Sequence, residues 1–555
     1  MTLRKHQQQF RDEIANVPDD GDSYKEILVH ATPGAGKSAL PVIATDLIKR
    51  GLADRICWVV PRDSLRTQGE QNFLDPLFRK MLGHNCMIRA ASNESDPCRG
   101  TRGFATTYQA ISCDSQGTVF SEFCTHRYIL VLDEFHHLER DGLWMQKIQQ
   151  IYSRAAYVVL MTGTMERGDG KPIGIMPYKK GFANGKRCLV PDMEHEDVAY
   201  IHYSRADALR ERAIIPMLFY LTDGSAEWSM KNGGKYKVDS FAAAAPEDTS
   251  AAIYTALRTD FARDLIERSV AHWLKWRKRI KTAKLLVVTA DIHTAQDALQ
   301  QVRKLTNRPA AIATSHETAE ARKSIAAFKA GRVEILVSIA MAYEGLDVPE
   351  ISHICCLSHI RSTPWIEQMI ARAVRIDKAY QYEGQCAHIY APDDPRFREI
   401  VNRIEAEQMA TASMPRGAGG NGEEQLTLKM PEGFEAESNI IPIGSRAAET
   451  REHLYGNPVA SEEADAPLPV MVTPRERESI LRREIEIHIR KYCHMNRVDN
   501  KRVNAEIKEH FGKARGDMTG PELGVVLDFV RNNYPAYQAR GVRPRVSRGI
   551  DVING

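Results

Sequence analysis

Residues 31–38, which read ATPGAGKS, restrict the possible folds more sharply than any other stretch of the chain. They follow the apolar run Ile27–Ala31 directly, and residues 39–48 have the composition of a helix. Glycines in such a loop let backbone N–H groups turn toward phosphate oxygens, and the helix start adds the positive end of its dipole. This strand–loop–helix unit predicts an α/β protein that binds a nucleotide through its phosphates.

Two series of short apolar runs, separated by helix-like stretches, extend this prediction along the chain. The runs cover residues 27–31, 55–60, 128–132 and 157–161 in the first series, and 284–288, 310–314, 334–338 and 354–357 in the second. Continuous apolar runs between helices are typical of parallel strands buried on both faces. We therefore predict two tandem lobes, each an α/β unit with a doubly wound parallel sheet, over residues 1–185 and 271–410.

Three further segments differ from the lobes in composition. Residues 186–270 mix Gly, Asp, Trp and Tyr and predict a small β-rich connector. Residues 411–470 are rich in Gly, Pro, Ala and Glu without periodicity, which predicts a flexible linker. Residues 471–555 contain 17 basic and 11 acidic residues and predict a basic helical accessory domain. This domain is a candidate contact for nucleic acid or a protein partner, with a solvated appendage as the alternative.

Composition and cysteine spacing exclude several protein classes. No apolar run reaches the roughly 18–20 residues needed to span a membrane, and the polar N-terminus MTLRKHQQQF does not resemble a signal peptide. The ten cysteines form no CxxC pair, which argues against a zinc knuckle or an iron–sulfur cluster. Free thiols in a chain of 555 residues favour the cytoplasm, and we expect no membrane partner.

The nucleotide loop also carries side chains suited to ATP and Mg²⁺. Lys37 can reach the β- and γ-phosphates, and the hydroxyl of Ser38 can bind Mg²⁺. The other predicted nucleotide contacts in the loop are Thr32, Gly34, Ala35 and Gly36. These residues predict ATP and Mg²⁺ as the cofactors.

Two adjacent carboxylates, Asp133 and Glu134, end the third apolar run in the sequence VLDEFHH. The C-terminal ends of parallel strands are where ligands of such sheets bind. We expect Asp133 to hold Mg²⁺, through water, and Glu134 to polarise the attacking water as a general base.

An arginine pair completes the predicted catalytic set from the second lobe. Arg372 and Arg375 are three residues apart and so lie on one face of a helix. Guanidinium groups suit a γ-phosphate and its transition-state charge. An arginine supplied across a cleft would both speed hydrolysis and sense bound ATP.

Together these motifs resemble the superfamily 2 helicases, in the DEAD/DEAH-like bacterial or phage form, over roughly residues 3–392. The segment Asp133–His136 is similar to the DEAD/DEAH box, and Gln368–Arg375 to motif VI, in which Gln368, Arg372 and Arg375 match. Val337–Pro349 is similar to motif V, with Gly345 and Asp347 matching. The resemblance implies two RecA-like lobes that close on ATP.

The resemblance also implies roles for residues in weaker motifs. Gln7 matches the family glutamine that reads adenine, and Ser338 matches the motif V residue that contacts the strand. Motifs Ia, Ib and III, which line the nucleic-acid track or couple it to ATP, include Pro61, Arg62, Thr106, Thr162 and Thr164.

The sequence thus predicts an ATP-dependent helicase or translocase. DNA is favoured because motifs V and VI resemble those of DNA-directed bacterial and mobile-element proteins. An RNA helicase stays open, since such lobes contact mainly the sugar–phosphate backbone. The other alternative is an ATP-binding nucleic-acid scaffold, or a motor subunit of a larger defence or replication complex.

Overall fold

Two sheets, the first wholly parallel and the second parallel except for Lys235–Val238 and Ile440–His453 at its edge, form the body of the protein with helices on their faces. The computed structural model describes residues 3–18, 26–140, 142–165, 172–183, 186–193, 195, 197–231, 233–314, 319–339, 346–412, 440–453, 474–496 and 498–534. Gly345, one of the predicted nucleotide contacts, lies outside these ranges.

The first sheet contains seven parallel strands in the described ranges. The strands of this part of the chain are β1 Glu26–Ala31, β2 Arg55–Val60, β3 Arg89–Ala90, β4 Gly103–Thr107, β5 Tyr128–Asp133, β6 Tyr157–Thr162, β7 Tyr178–Ala183, β8 Lys186–Pro191 and β9 Val198–Tyr203. Their order in the sheet is β3-β4-β2-β5-β6-β1-β9, while β7 and β8 form a separate antiparallel pair. The helices are α1 Lys5–Asn16, α2 Leu40–Ala44, α3 Asp46–Lys49, α4 Asp63–Leu74, α5 Pro76–Leu82, α6 Tyr108–Ser112, α7 Thr118–Thr125, α8 Leu143–Tyr152 and α9 Arg205–Arg210.

Burial on both faces explains why these strands are continuously apolar. Consecutive residues of β5 alternate between two cores: Leu130 packs into one hydrophobic cluster and Val131 into the other. Successive side chains of a strand point to opposite faces, so helices on both sides require apolar residues at every position.

The second sheet contains eight strands among the described residues and repeats this arrangement. Its strands are β10 Met217–Met230, β11 Lys235–Val238, β12 Lys284–Thr289, β13 Ala310–Ala313, β14 Ile335–Ile339, β15 Ile351–Leu357, β16 Ala387–Pro392 and β17 Ile440–His453. The order is β11-β10-β16-β15-β12-β14-β13, and β17 pairs with β10. The helices are α10 Pro246–Ala256, α11 Asp260–Trp276, α12 Ile292–Thr306, α13 Ala319–Lys329, α14 Thr363–Ile370 and α15 Pro395–Ala412. The two sheets confirm the tandem RecA-like lobes.

The residues predicted as a β-rich connector contribute strands to both sheets. Strand β9 runs parallel to β1 at the edge of the first sheet. Strand β10 runs parallel to β16 in the second sheet, and β11 is antiparallel to β10. The chain therefore crosses between the lobes between Tyr203 and Met217, with α9 in the crossing.

The prediction of a flexible linker is wrong for residues 440–453, which form β17. This strand pairs antiparallel with β10 over Phe219–Met230. Without it, the outer edge of β10 would leave backbone N–H and C=O groups unpaired. A side chain also joins β17 to α11: the hydroxyl of Ser445 accepts from the backbone N–H of Phe261 at 3.0 Å. Residues 413–439 and 454–470 of the predicted linker lie outside the described residues.

The accessory domain is helical, as predicted, and has its own hydrophobic core. It consists of α16 Pro474–Asn496, α17 Asn500–Phe511 and α18 Gly520–Asn533. Ile485, Val503 and Leu523 bring one buried side chain from each helix into that core.

An ion pair attaches the accessory domain to the first lobe. Arg89 Nη2 on β3 donates to Glu478 Oε2 on α16 at 3.0 Å, and both side chains are only 3% exposed. Arg99 Nη1 adds a hydrogen bond to the carbonyl oxygen of Gly516 at 2.8 Å. Because a buried charge is costly without its partner, this contact fixes where the domain docks.

None of the described helices is both long and apolar enough to cross a lipid bilayer. The predicted cytoplasmic location stays a prediction.

Candidate nucleotide cleft

The glycine-rich loop after β1 has a backbone that only glycine adopts easily. Gly34 and Gly36 have φ angles of +85° and +83°. A Cβ atom at Gly36 would lie 2.8 Å from Nη1 of Arg4 and 3.3 Å from Nε2 of Gln7. The positive φ disfavours a larger residue at position 36, and a side chain there would also have to displace the ends of the Arg4 and Gln7 side chains.

Helix α1 holds the loop from outside through Gln7. Its Nε2 donates to the carbonyl oxygen of Gly36 at 3.0 Å, and its Oε1 accepts from the backbone N–H of Arg4 at 3.1 Å. Gln7 therefore lies against the loop, where its contact can position the phosphate cradle. Its assignment to adenine stays a prediction.

Lys37 and Glu134 face each other across the cleft floor. Lys37 Nζ lies 3.2 Å from Glu134 Oε1 and also donates to the carbonyl oxygen of Ala31 at 3.3 Å. Burial opposes ionisation of Glu134, but Lys37, His136 and the backbone N–H of Gly163 together hold the pKa of Glu134 well below its ordinary value. The carboxylate is therefore charged, which is the form a general base requires.

Asp133, the adjacent carboxylate, has the opposite electrostatics. Burial, and then the charge of Glu134, raise the pKa of Asp133 above its ordinary value. Asp133 and the hydroxyl of Ser38 line the same cleft, so two hard oxygen ligands converge. A divalent cation would supply the missing positive charge there, and the oxygen donors suit Mg²⁺.

A chain of polar contacts joins Glu134 to the second lobe. Thr162 Oγ1 donates to Glu134 Oε2 at 3.3 Å and lies 2.8 Å from Nδ1 of His136. On the other side of that ring, Nε2 lies 3.4 Å from Nε2 of Gln368 on α14. Thr162 and Gln368, which the sequence assigns to motifs III and VI, are thus linked through His136.

Asp347 of the second lobe contacts both lobes at once. It forms an ion pair with Arg375 and accepts a hydrogen bond from Gln68 Nε2 of α4 at 3.1 Å. Burial lowers the pKa of Arg375 to about 10, so its guanidinium stays charged at neutral pH. The nucleotide loop also approaches the second lobe, since a Cβ on Gly34 would lie 3.3 Å from Cγ2 of Val374.

These groups line one cleft between the lobes, and the cleft is open to solvent on one side. Eleven of the site residues predicted from the sequence line this cleft: Gly34, Gly36, Lys37, Ser38, Pro61, Asp133, Glu134, Asp347, Gln368, Arg372 and Arg375. The parallel strands of both lobes end toward it, which is why residues so distant in sequence meet.

Helix α4 and Trp58 of β2 form a wall of the cleft that was not predicted from the sequence. Leu65, Gln68, Gly69 and Asn72 all line the cleft with Trp58. Helix α4 begins three residues after β2 ends, and a helix that follows a parallel strand starts at the ligand edge of the sheet. The position of α4 directly after β2 could therefore have predicted that its residues line the cleft.

Several predicted nucleic-acid contacts do not reach an open surface. The side chains of Thr106 and Ser338 are 2% and 0% exposed, and Thr162 and Thr164 are also buried. Pro61 lines the cleft, and Arg62 precedes the first turn of α4. The assignment of these residues to nucleic acid stays a prediction.

Family models match both lobes. The model for the type III restriction enzyme, res subunit, matches residues 1–167, and the helicase conserved C-terminal domain matches residues 266–377. The chain belongs to superfamily 2 of the helicases. It is therefore a nucleic-acid helicase, and helicase families use ATP with a divalent metal.

Individual proteins resemble this helicase more distantly. The uncharacterized protein Rv2917 of Mycobacterium tuberculosis (strain ATCC 25618 / H37Rv) is 23% identical over 86% of this chain and 78% of its own length. A fragment of a putative HsdR subunit of a type I restriction enzyme from Vibrio vulnificus YJ016 is 15% identical, with a TM-score of 0.45 over 71% of this chain and 65% of that one. The DNA-bound type ISP restriction-modification enzyme LlaBIII is 13% identical, with a TM-score of 0.44 over 71% of this chain. The helicase spans 28% of the length of LlaBIII.

Proposed function

We propose that this helicase is an ATP-driven motor that translocates on or unwinds DNA. One observation carries the proposal: Arg372 and Arg375 of the second lobe line the same cleft as Lys37 and Glu134 of the first. A nucleotide bound there would touch both lobes, so its hydrolysis would change their separation. Closing and opening two domains is how hydrolysis becomes movement.

In this proposal the first lobe binds and activates the reactants. Backbone N–H groups of Gly34 and Gly36 and the charge of Lys37 hold the phosphates. Ser38 and Asp133 would hold Mg²⁺, which would neutralise phosphate charge. Glu134 accepts a proton from a water whose oxygen attacks the γ-phosphorus, and the bond to the β-phosphate oxygen breaks to leave ADP and phosphate.

The second lobe supplies the trigger. Arg375 pairs with Asp347, so its guanidinium must turn from that carboxylate to the γ-phosphate as ATP is engaged. Gln368 lies beside His136, which contacts the threonine that bonds Glu134. This chain can report the position of the second lobe to the general base.

Two observations favour DNA as the track. The first lobe matches the model of a restriction enzyme subunit, a class of enzyme that acts on DNA. Motifs V and VI resemble those of DNA-directed proteins. The basic accessory domain offers an electrostatic contact to the phosphate backbone of either nucleic acid, so it supports binding but does not distinguish DNA from RNA.

The test is ATP hydrolysis measured with single-stranded DNA, forked duplex DNA and RNA of the same sequence. We expect DNA to stimulate turnover more than RNA does, and Glu134→Gln to abolish the stimulation. Strand displacement or streptavidin displacement from the same DNA measures movement. Equal stimulation by RNA would instead identify an RNA helicase, and ATP binding without turnover on any strand would identify a scaffold.

A further inference from the structure

Three histidines meet in the second lobe, in a region that the nucleotide chemistry does not use. His272 lies on α11, His353 on β15 and His388 on β16, and one ring nitrogen of each lies within 4.8 Å of the other two. His353 and His388 are register partners on adjacent strands. We call His272, His353 and His388 the histidine cluster.

Hydrogen bonds fix which nitrogens face the centre of the cluster. His353 Nδ1 lies 2.9 Å from the Ser352 hydroxyl, and His388 Nδ1 lies 3.1 Å from the Tyr220 hydroxyl. These contacts turn Nε2 of both rings inward. His272 Nδ1 lies 3.0 Å from the inward Nε2 of His353.

The inward nitrogen of His388 is the unexplained feature. Its side chain is 2% exposed, yet Nε2 has no hydrogen-bond partner anywhere in the described ranges. Buried polar atoms in proteins are nearly always bonded, so such an atom points to an unseen partner. The ring itself is held firmly, with Trp276 at 4.3 Å between ring centroids.

The surroundings of His353 and His388 lower the pKa values of both rings. Burial, together with the neighbouring histidines, holds the pKa of His353 well below its ordinary value. Burial, His272 and Arg279 lower the pKa of His388 to about 3. Neutral imidazole is the form that binds metals.

We propose that the histidine cluster binds a divalent transition-metal ion of the zinc class through His272 Nδ1, His353 Nε2 and His388 Nε2. Three imidazoles with a fourth position filled by water form a common zinc donor set. His272 is only half-buried, so solvent can supply that water. With Nδ1–H donating to their oxygens, Ser352 and Tyr220 orient the two strand ligands, as outer partners of metal-bound histidines do.

The proposed ion would join α11 to the second sheet away from the nucleotide. His353 and His388 lie near the N-terminal ends of their strands, whereas α14 and motif VI follow the C-terminal end of β15. The ion would thus stabilise the lobe without touching ATP. Metal binding at the histidine cluster does not depend on whether the motor runs on DNA or RNA.

The test uses the full chain without a polyhistidine tag, freed of metal by a chelator. Calorimetric titration with Zn²⁺ should show one tight equivalent, and Co²⁺ should give the visible absorption bands of a nitrogen-ligated ion. Zn²⁺ should also raise the thermal midpoint by several degrees, since the ion binds only the folded state. His272→Ala should weaken zinc binding by more than ~100-fold, because losing a ligand costs more than losing an outer partner.

A matched control separates this site from surface histidines. His293 on α12 is highly exposed, so His293→Ala should keep the tight equivalent and the thermal shift. Circular dichroism and strand-stimulated hydrolysis of His272→Ala should equal those of the wild type, which shows that the variant folds. Absence of a stoichiometric zinc site in the wild type, or equal affinity in His272→Ala, would overturn the proposal.

Discussion

Replacing Arg375 by alanine tests the trans-lobe trigger most directly. Arg375 lines the cleft but belongs to the second lobe, whereas the loop that would hold most of the nucleotide belongs to the first. Arginines supplied across a cleft typically add ~10³–10⁵ to the rate of phosphoryl transfer. We therefore expect Arg375→Ala to lower kcat by that order while ATP affinity changes little, since the lost charge acts mainly on the transition state.

Replacing Arg375 also removes its ion pair with Asp347, so the loss of stability must be measured separately from the loss of turnover. Asp347, the partner of Arg375, is 38% exposed and keeps its hydrogen bond to Gln68. Water can solvate a carboxylate of that exposure, and we expect a loss of only ~1 kcal/mol in the free energy of unfolding. Such a loss would leave the protein folded at the assay temperature.

Arg398→Ala is the matched control. Arg398 is also on the second lobe, has a similar exposure of 29% against 25%, and pairs with buried Asp393 at 2.6 Å. This variant should lose stability at least as much, yet retain kcat. ATP binding by fluorescent-nucleotide titration and kcat by phosphate release are measured on both variants. If Arg375→Ala turned over like Arg398→Ala, or lost only ATP affinity, motif VI would not be the trigger.

Three further changes test other parts of the molecule. Glu134→Gln should bind ATP but hydrolyse it at least ~100-fold more slowly, because an amide cannot accept the proton; turnover at the wild-type rate would remove Glu134 from that role. Glu478→Ala should release the accessory domain from Arg89 and raise its rate of limited proteolysis, whereas exposed Glu484→Ala should not; equal proteolysis of both would refute the anchor. Deleting residues 471–555 should weaken DNA binding and flatten its dependence on salt; an unchanged slope would show that the domain does not contact DNA.

Local sequence signals predicted the parts of the cleft that follow strands. The loop before Lys37 and the carboxylates after β5 lie at strand ends, and parallel strands bring such ends to one edge of a sheet. Arg375 could be assigned to the cleft because the resemblance supplied the second lobe. The catalytic roles of these residues stay predictions. Their common location in the cleft could be predicted from the sequence motifs and their positions after strands.

Features that depend on distant partners could not be predicted in this way. Strand β17 has a composition that suits a linker, and its partner β10 lies more than 200 residues earlier in the chain. The contact between Gln68 and Asp347 depends on how the two lobes sit together, which no local pattern encodes. The histidine cluster likewise has no spacing typical of a motif, because its residues come from one helix and two strands.

The pairing of Arg375 with Asp347 has a thermodynamic consequence for the ATPase cycle. If Arg375 engages the γ-phosphate as proposed, Asp347 is a built-in anion that competes with the nucleotide for the same guanidinium. The net gain from engaging ATP is then the difference between two ion pairs, which moderates affinity. After hydrolysis, the carboxylate of Asp347 can pair again with Arg375 as phosphate departs, so the partly buried guanidinium is never left without a counter-charge. An aspartate inside the cleft would thus favour product release.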